Sequence, residues 1–230
     1  MVPIRDDLKT NEKPWVTYTL IALNIIIYLW DRSGAINGSG VVFSDLAMRP
    51  AEIIDVLKGK GEPTNLTTLF TMLFLHANLT HIVGNMLFLL TFGGRVEEIF
   101  GPVRYALYYV FWGVVASAAH IAFMPTSTIP TLGASGAIGG VLGAYFLLFP
   151  GNRIQFTILP FFFITFTIVA WIMLAFWFVF QILLPQEGVA NWAHAGGFAA
   201  GMITVLILGG RSNLLRGFQF ERLTGGDFDD

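Results

Sequence analysis

Three long stretches of this chain carry no charge. No Asp, Glu, Lys or Arg lies between Arg104 and Arg153, between Arg153 and Glu187, or between Glu187 and Arg211. Each gap can hold at least one helix of the roughly 20 apolar residues that cross a bilayer. Charged residues make up 12% of the chain, against about 25% in an ordinary soluble domain. The reading is therefore an integral membrane protein with one membrane domain and no separate soluble one. The Lys and Arg residues are scattered, which gives nucleic acid no footprint. There is no cysteine, which excludes disulfides, thiolate metal sites and a cysteine nucleophile.

Taken in order, residues 1–13 are polar and read as a cytoplasmic N-terminus. The apolar run from Pro14 to Trp30 is long for a signal peptide, and no small-x-small site follows it, so it reads as the first span. A long mixed loop reaches about residue 78. Within it, Pro50 to Gly59 has a helix-starting Pro and a helix-ending Gly. Further spans are expected from about Leu79 to Phe100, from about Val103 to Phe123, and from Ser135 to near Pro150. The fifth is expected from Phe161 to Leu184, with Pro160 setting it off from an interfacial stretch. The sixth runs from Trp192 to Gly210. The membrane domain thus covers residues 14–210, and residues 211–230 read as a polar, disordered cytoplasmic tail.

Six spans starting inside place nine Lys/Arg inside and four outside. The four are Arg32, Arg49, Lys58 and Lys60, all in the first loop. This imbalance favours both termini inside. The expected fold is all-α: a six-transmembrane-helix bundle, N-in and C-in, with the long first loop outside. An inner cell membrane is the expected location.

The charge markers also give depth. Ser135 lies 18 residues before Arg153, and His194 lies 17 residues before Arg211. At 1.5 Å per residue, both sit about 26 Å from the inner boundary. The core is about 30 Å thick, so both lie at one level, slightly below the outer surface. His194, Gly197 and Gly201 share a helical stripe, and Gly136, Gly140 and Gly143 form another beside Ser135. Small-residue stripes let membrane helices approach closely. Taken alone, the stretch around Gly133, Ser135 and Gly136 is equally what close helix packing looks like. An ionisable residue inside a span, however, is costly and usually functional. A serine and a histidine within hydrogen-bond reach make a nucleophile and its base. No Asp or Glu lies on the outer half of any span, so a dyad is expected rather than a triad. His81 and Asn85, four apart near the outer end of the second helix, are candidate oxyanion donors. His76, just before that helix, is given a structural role. The spacing of His76 and His81 does not suit a helical metal pair, and neither a metal nor a cofactor is expected.

These residues together resemble the rhomboid family of intramembrane serine proteases. The matching stretches are Phe74-Leu-His76-Ala-Asn-Leu-Thr-His81-Ile-Val-Gly-Asn85, Gly94-Arg-Val96-Glu97, Gly133-Ala-Ser135-Gly136-Ala-Ile, and Ala193-His194-Ala-Gly-Gly197-x-x-x-Gly201. The resemblance implies that Ser135 is the nucleophile and His194 the base. It implies that His81, Asn85 and the Ser135 N–H bind the oxyanion. The partners it implies are transmembrane protein substrates entering sideways from the lipid bilayer, between the second and fifth helices. One position departs from the pattern. Many members carry Tyr or Phe four residues after the nucleophile, stacked on the histidine; here that residue is Gly139. The alternative is a catalytically silent rhomboid-like protein that binds membrane clients. Such relatives lack the serine or the histidine, and this chain has both. A transporter would favour internal repeats and charged pathway residues, and neither is evident.

Overall fold

The structure, a computed structural model, describes residues 2–7, 12–32, 45–158, 161–184 and 188–216. It is mostly helical. The helices are α1 (Trp15–Arg32), α2 (Pro50–Leu57), α3 (Leu79–Phe100), α4 (Pro102–Phe123), α5 (Ser135–Leu148), α6 (Ala170–Leu183), α7 (Asn191–Ile207) and α8 (Gly210–Arg216). Two of them, α3 and α4, are long and apolar enough to cross a membrane. The pair α7 and α8, bent by 66°, makes a third if it counts as one span, while α1, α5 and α6 are apolar but shorter.

The centre of the bundle is α5. From Gly136 to Tyr145 every residue is buried, and Leu148 with them. A helix that is apolar all round belongs inside a bundle. Its close neighbour is α7. A Cβ on Gly197 would collide with the Gly136 carbonyl, and one on Gly201 with the Gly140 carbonyl. The two backbones therefore touch, as the glycine stripes predict. The α5 stripe is shared between two neighbours. A Cβ on Gly143 would strike the Phe198 backbone of α7, whereas Gly136 and Gly140 make room for Ala116 and Trp112 of α4.

The reading as all-α is corrected by a three-stranded antiparallel sheet in the order β1 (Val2–Asp6), β2 (Arg153–Ile158), β3 (Phe161–Val169). The first nine residues of the expected fifth helix are therefore strand. The residues explain it. Ile154 and Phe156 alternate with Arg153 and Gln155, and β3 is nearly all aromatic and β-branched, which suits a pleated, half-buried surface. Ile154 pairs with Ile168, and Phe156 stacks on Phe166 across the strands. Pro160 lies outside the described residues. The N-terminal stretch is also corrected in part, because residues 2–6 form the edge strand. Buried Asp6 accepts hydrogen bonds from the Tyr145 hydroxyl of α5 and from Asn152 Nδ2. The tail is helical as far as Arg216, and residues 217–230 lie outside the described residues.

Contacts tie the helix ends into two groups. On one side, the sheet joins the start of the chain to the segment after α5. There Glu97, near the end of α3, accepts from the Val16 and Thr17 backbone N–H groups at 2.9 and 2.8 Å and from the Thr17 hydroxyl at 2.8 Å. It thereby satisfies the orphan donors at the start of α1. Arg211 Nε donates to the Leu148 carbonyl at 2.8 Å, bringing the end of α7 to the end of α5. On the other side, Met48 in the first loop bridges Thr131, just before α5. Met48, Ile53, Met72, Leu73 and Ile121 form an apolar cluster that seats this loop on α4.

Candidate active site

Ser135 is the first residue of α5. The turn before it depends on Gly133, whose φ is +127°; side chains rarely adopt such a backbone. The Gly133 N–H donates to the Met72 carbonyl at 2.9 Å. A Cβ there would come within 2.8 Å of His81 Cε1 and Nε2, and 3.5 Å of Ser135 Oγ. The missing side chain therefore leaves room for the His81 ring beside the serine.

His194 sits one turn into α7. Its Nε2 lies 2.8 Å from Ser135 Oγ. The pair placed at equal depth by the charge markers is in direct contact. The opposite nitrogen, Nδ1, lies 2.9 Å from Gln181 Oε1 on α6. The same oxygen accepts from Asn191 Nδ2 at 3.0 Å. Trp177, one turn before Gln181, faces the His194 ring at 5.8 Å between centroids. This accounts for Gly139. A Cβ at that position would lie 2.9 Å from the His194 carbonyl, so residue 139 meets the backbone of α7 and not the imidazole.

His81 and Asn85 share one face of α3. The start of that helix is capped by Asn78 Oδ1, which accepts from the His81 N–H at 2.9 Å. His81 Nδ1 accepts from the Ala77 N–H at 3.4 Å. That leaves the proton of a neutral ring on Nε2, the atom beside Gly133. Asn85 Nδ2 lies 2.9 Å from His76 Nε2, and an amide nitrogen has a second hydrogen to donate. His76 is buried, and its ring stands edge-on to His81 at 5.0 Å. Burial, with His81 nearby, pushes the His76 pKa down to about 4. The ring is thus neutral at pH 7, and its Nε2, facing the donor Asn85 Nδ2, is the acceptor, which fits a supporting role. A cavity of about 380 Å³ lies next to His81, lined also by His120, Thr131, Leu132 and Asn191 among others.

The structure thus brings together Ser135, His194, His81 and Gly133, with His76 holding Asn85 on the His81 face. Gly197 and Gly201 set the helix spacing, and Gly136 faces both neighbours. Sequence reasoning missed Gln181, Trp177 and Asn191. The available signal was Gln181 itself, the sole polar side chain in α6.

Fold and site define a class: a mostly helical bundle of apolar helices with a hydrogen-bonded serine and histidine between two of them. The chain belongs to the rhomboid family. The Rhomboid domain model matches residues 63–211. The chain is 34% identical over 146 residues to rhomboid protease GluP of Bacillus subtilis (strain 168), covering 64% of this chain and 27% of that protein. It is 35% identical over 140 residues to RHOMBOID-like protein 1 of Arabidopsis thaliana, covering 59% and 32%. It is 34% identical over 94 residues to the mitochondrial presenilin-associated rhomboid-like protein of Bos taurus, covering 40% and 25%. The matches span about a quarter to a third of these relatives' own length. Rhomboid proteins are integral membrane proteins that act on membrane-protein substrates.

Proposed function

We propose that this protein is an intramembrane serine endopeptidase that cuts peptide bonds in or beside the transmembrane helices of other membrane proteins. The observation that carries this reading is the 2.8 Å contact between His194 Nε2 and Ser135 Oγ. In the proposed reaction, Ser135 Oγ attacks the scissile carbonyl carbon while His194 Nε2 takes the hydroxyl proton. The carbonyl oxygen becomes an oxyanion, held by the Ser135 N–H at the start of α5 and by His81 Nε2–H and Asn85 Nδ2–H. Collapse breaks the C–N bond, and His194 gives its proton to the leaving amine. Water, activated by the same nitrogen, then hydrolyses the acyl-enzyme and restores Ser135. The cavity of about 380 Å³ that reaches His81 and Asn191 is the proposed approach for that water.

In this reading α1, α3, α4, α5, α6 and α7 are six spans within a membrane domain of residues 14–210, with both termini inside. The contacts between helix ends support that arrangement. The start of α1 meets the end of α3, and the end of α7 meets the end of α5, as expected when these three helices run outside to inside. The proposed location is the inner cell membrane, and the substrates are transmembrane proteins.

The test is labelling of the detergent-solubilised protein with a fluorophosphonate probe, wild type against Ser135→Ala and His194→Ala, with cleavage of a transmembrane substrate in parallel. Labelling and cleavage are expected from the wild type and lost in both variants. A client-binding protein would show neither.

A further inference from the structure

Resting on that reading, we propose that Gln181 is the positioning residue of the dyad: its side-chain oxygen holds His194 in the tautomer that can take the Ser135 proton, so α6 carries part of the catalytic alignment. A neutral imidazole has two tautomers, and the partner of one nitrogen sets the state of the other. The base needs a lone pair on Nε2, so Nδ1 must carry the proton and meet an acceptor. The partner at Nδ1 is Gln181 Oε1, at 2.9 Å.

A carboxamide alone leaves the choice open. Turned over, it would donate to Nδ1 and put the imidazole proton on Nε2, where it blocks the base. In the structure Gln181 and Asn191 are turned together so that the Gln181 oxygen faces His194, and Asn191 Nδ2 donates to that same oxygen at 3.0 Å. An amide oxygen has two lone pairs, enough for both donors. Asn191 and His194 are three apart on α7, so one face of that helix sends two donors to one acceptor.

The setting of Gln181 agrees. It is 8% exposed, on a helix whose other buried residues are Ala170 and Leu174. A buried polar side chain costs free energy unless it is hydrogen-bonded, and its bonds here run to His194 and Asn191. Trp177, four residues earlier, covers the ring of His194. Thus α6 holds the imidazole by its edge and its face. The hydrogen bond is lost if α6 moves off α7 by more than about 1 Å, since that carries it past normal hydrogen-bond length.

The experiment compares wild type, Gln181→Met and Gln181→Glu in the full chain. Fluorophosphonate labelling rates are read alongside kcat and KM for a transmembrane substrate. Methionine keeps the length of the side chain but removes the acceptor. Labelling rate and kcat are expected to fall roughly ten- to hundredfold, by analogy with the loss of an outer-shell partner of a metal-bound imidazole, while KM stays within about twofold. Glutamate restores an acceptor and is expected to recover most of the rate, which a packing role would not explain. The glutamate variant also keeps the test valid if the methionine variant folds poorly. Gln181→Met reacting at the wild-type rate, or Gln181→Glu no faster than Gln181→Met, overturns the role of Gln181. Failure of the protease reading looks different: the wild type itself shows no labelling that depends on Ser135, and the inference falls with it.

Discussion

His76, His81 and His194 are the same residue type in three different situations, set apart by what their ring nitrogens meet. His194 faces a hydroxyl and an amide oxygen, His81 a backbone N–H, and His76 an amide nitrogen. The hydrogen bond from His76 to the proposed oxyanion site runs to Asn85. Asn85→Ala is therefore expected to lower kcat by about 10²–10³ with little change in KM, because the contact strengthens in the transition state. His76→Ala is expected to lower kcat less, and the double variant to match Asn85→Ala within about twofold, as for two residues acting through one contact. Steady-state kinetics on the four proteins checks this. A double variant far slower than Asn85→Ala would give His76 a role of its own. The residues found from sequence were those that charge markers could place in depth, namely Ser135 and His194, or that shared a helix face, His81 and Asn85. Gln181 escaped because depth does not say which way a helix is turned. A lone Gln in an apolar helix reads as interhelical glue until its neighbour is known.

The helix pair α5 and α7 sets the distance between serine and histidine, and it does so through backbone contact. In Gly197→Ala the new methyl would meet the Gly136 carbonyl, and backbone cannot step aside as a side chain can. Overpacking of this kind costs about 1–3 kcal/mol or more. The variant is expected to melt earlier in detergent and to lose Ser135 labelling, because the helices part where His194 meets Ser135. The sheet illustrates what apolarity alone conceals. Residues 161–183 are apolar enough to pass for one helix. The period-2 pattern in Arg153–Ile158 and the run of aromatic and β-branched residues after it pointed to strands. Nothing local in Val2–Asp6 told that this polar stretch would pair with β2, since that depends on a partner about 150 residues away. Asp6 anchors it, so Asp6→Ala leaves the Tyr145 hydroxyl and the Asn152 amide without this acceptor. The expected loss is about 1–3 kcal/mol, read as a lower melting temperature with kcat unchanged. A normal melt would mean that the strand is not held by Asp6.

At the scale of the whole molecule, the bundle holds Ser135 and His194 half-buried between helices, and a substrate must come to them. A peptide bond inside an α-helix is shielded, its carbonyl bonded to the N–H four residues on. Ser135 cannot attack until that segment unwinds. In lipid the freed backbone groups would be unsatisfied, at several kcal/mol each. Unwinding is tolerable where donors and water meet the strand. His81, with Asn85 on its face of α3, and the cavity that reaches His81 are proposed to offer both. Substrates of the proposed protease are therefore expected to carry Gly, Pro or small polar residues in the outer part of their span, since these lower the cost of leaving the helix. The tight turn at Gly133, with His81 against it, favours a small residue just before the cut. The measurement is cleavage in liposomes of a single-span substrate and of a version with its Gly and Pro positions changed to Leu. The Leu version is expected to be cut more slowly at the same bond. Equal rates would mean that unwinding does not select the substrate.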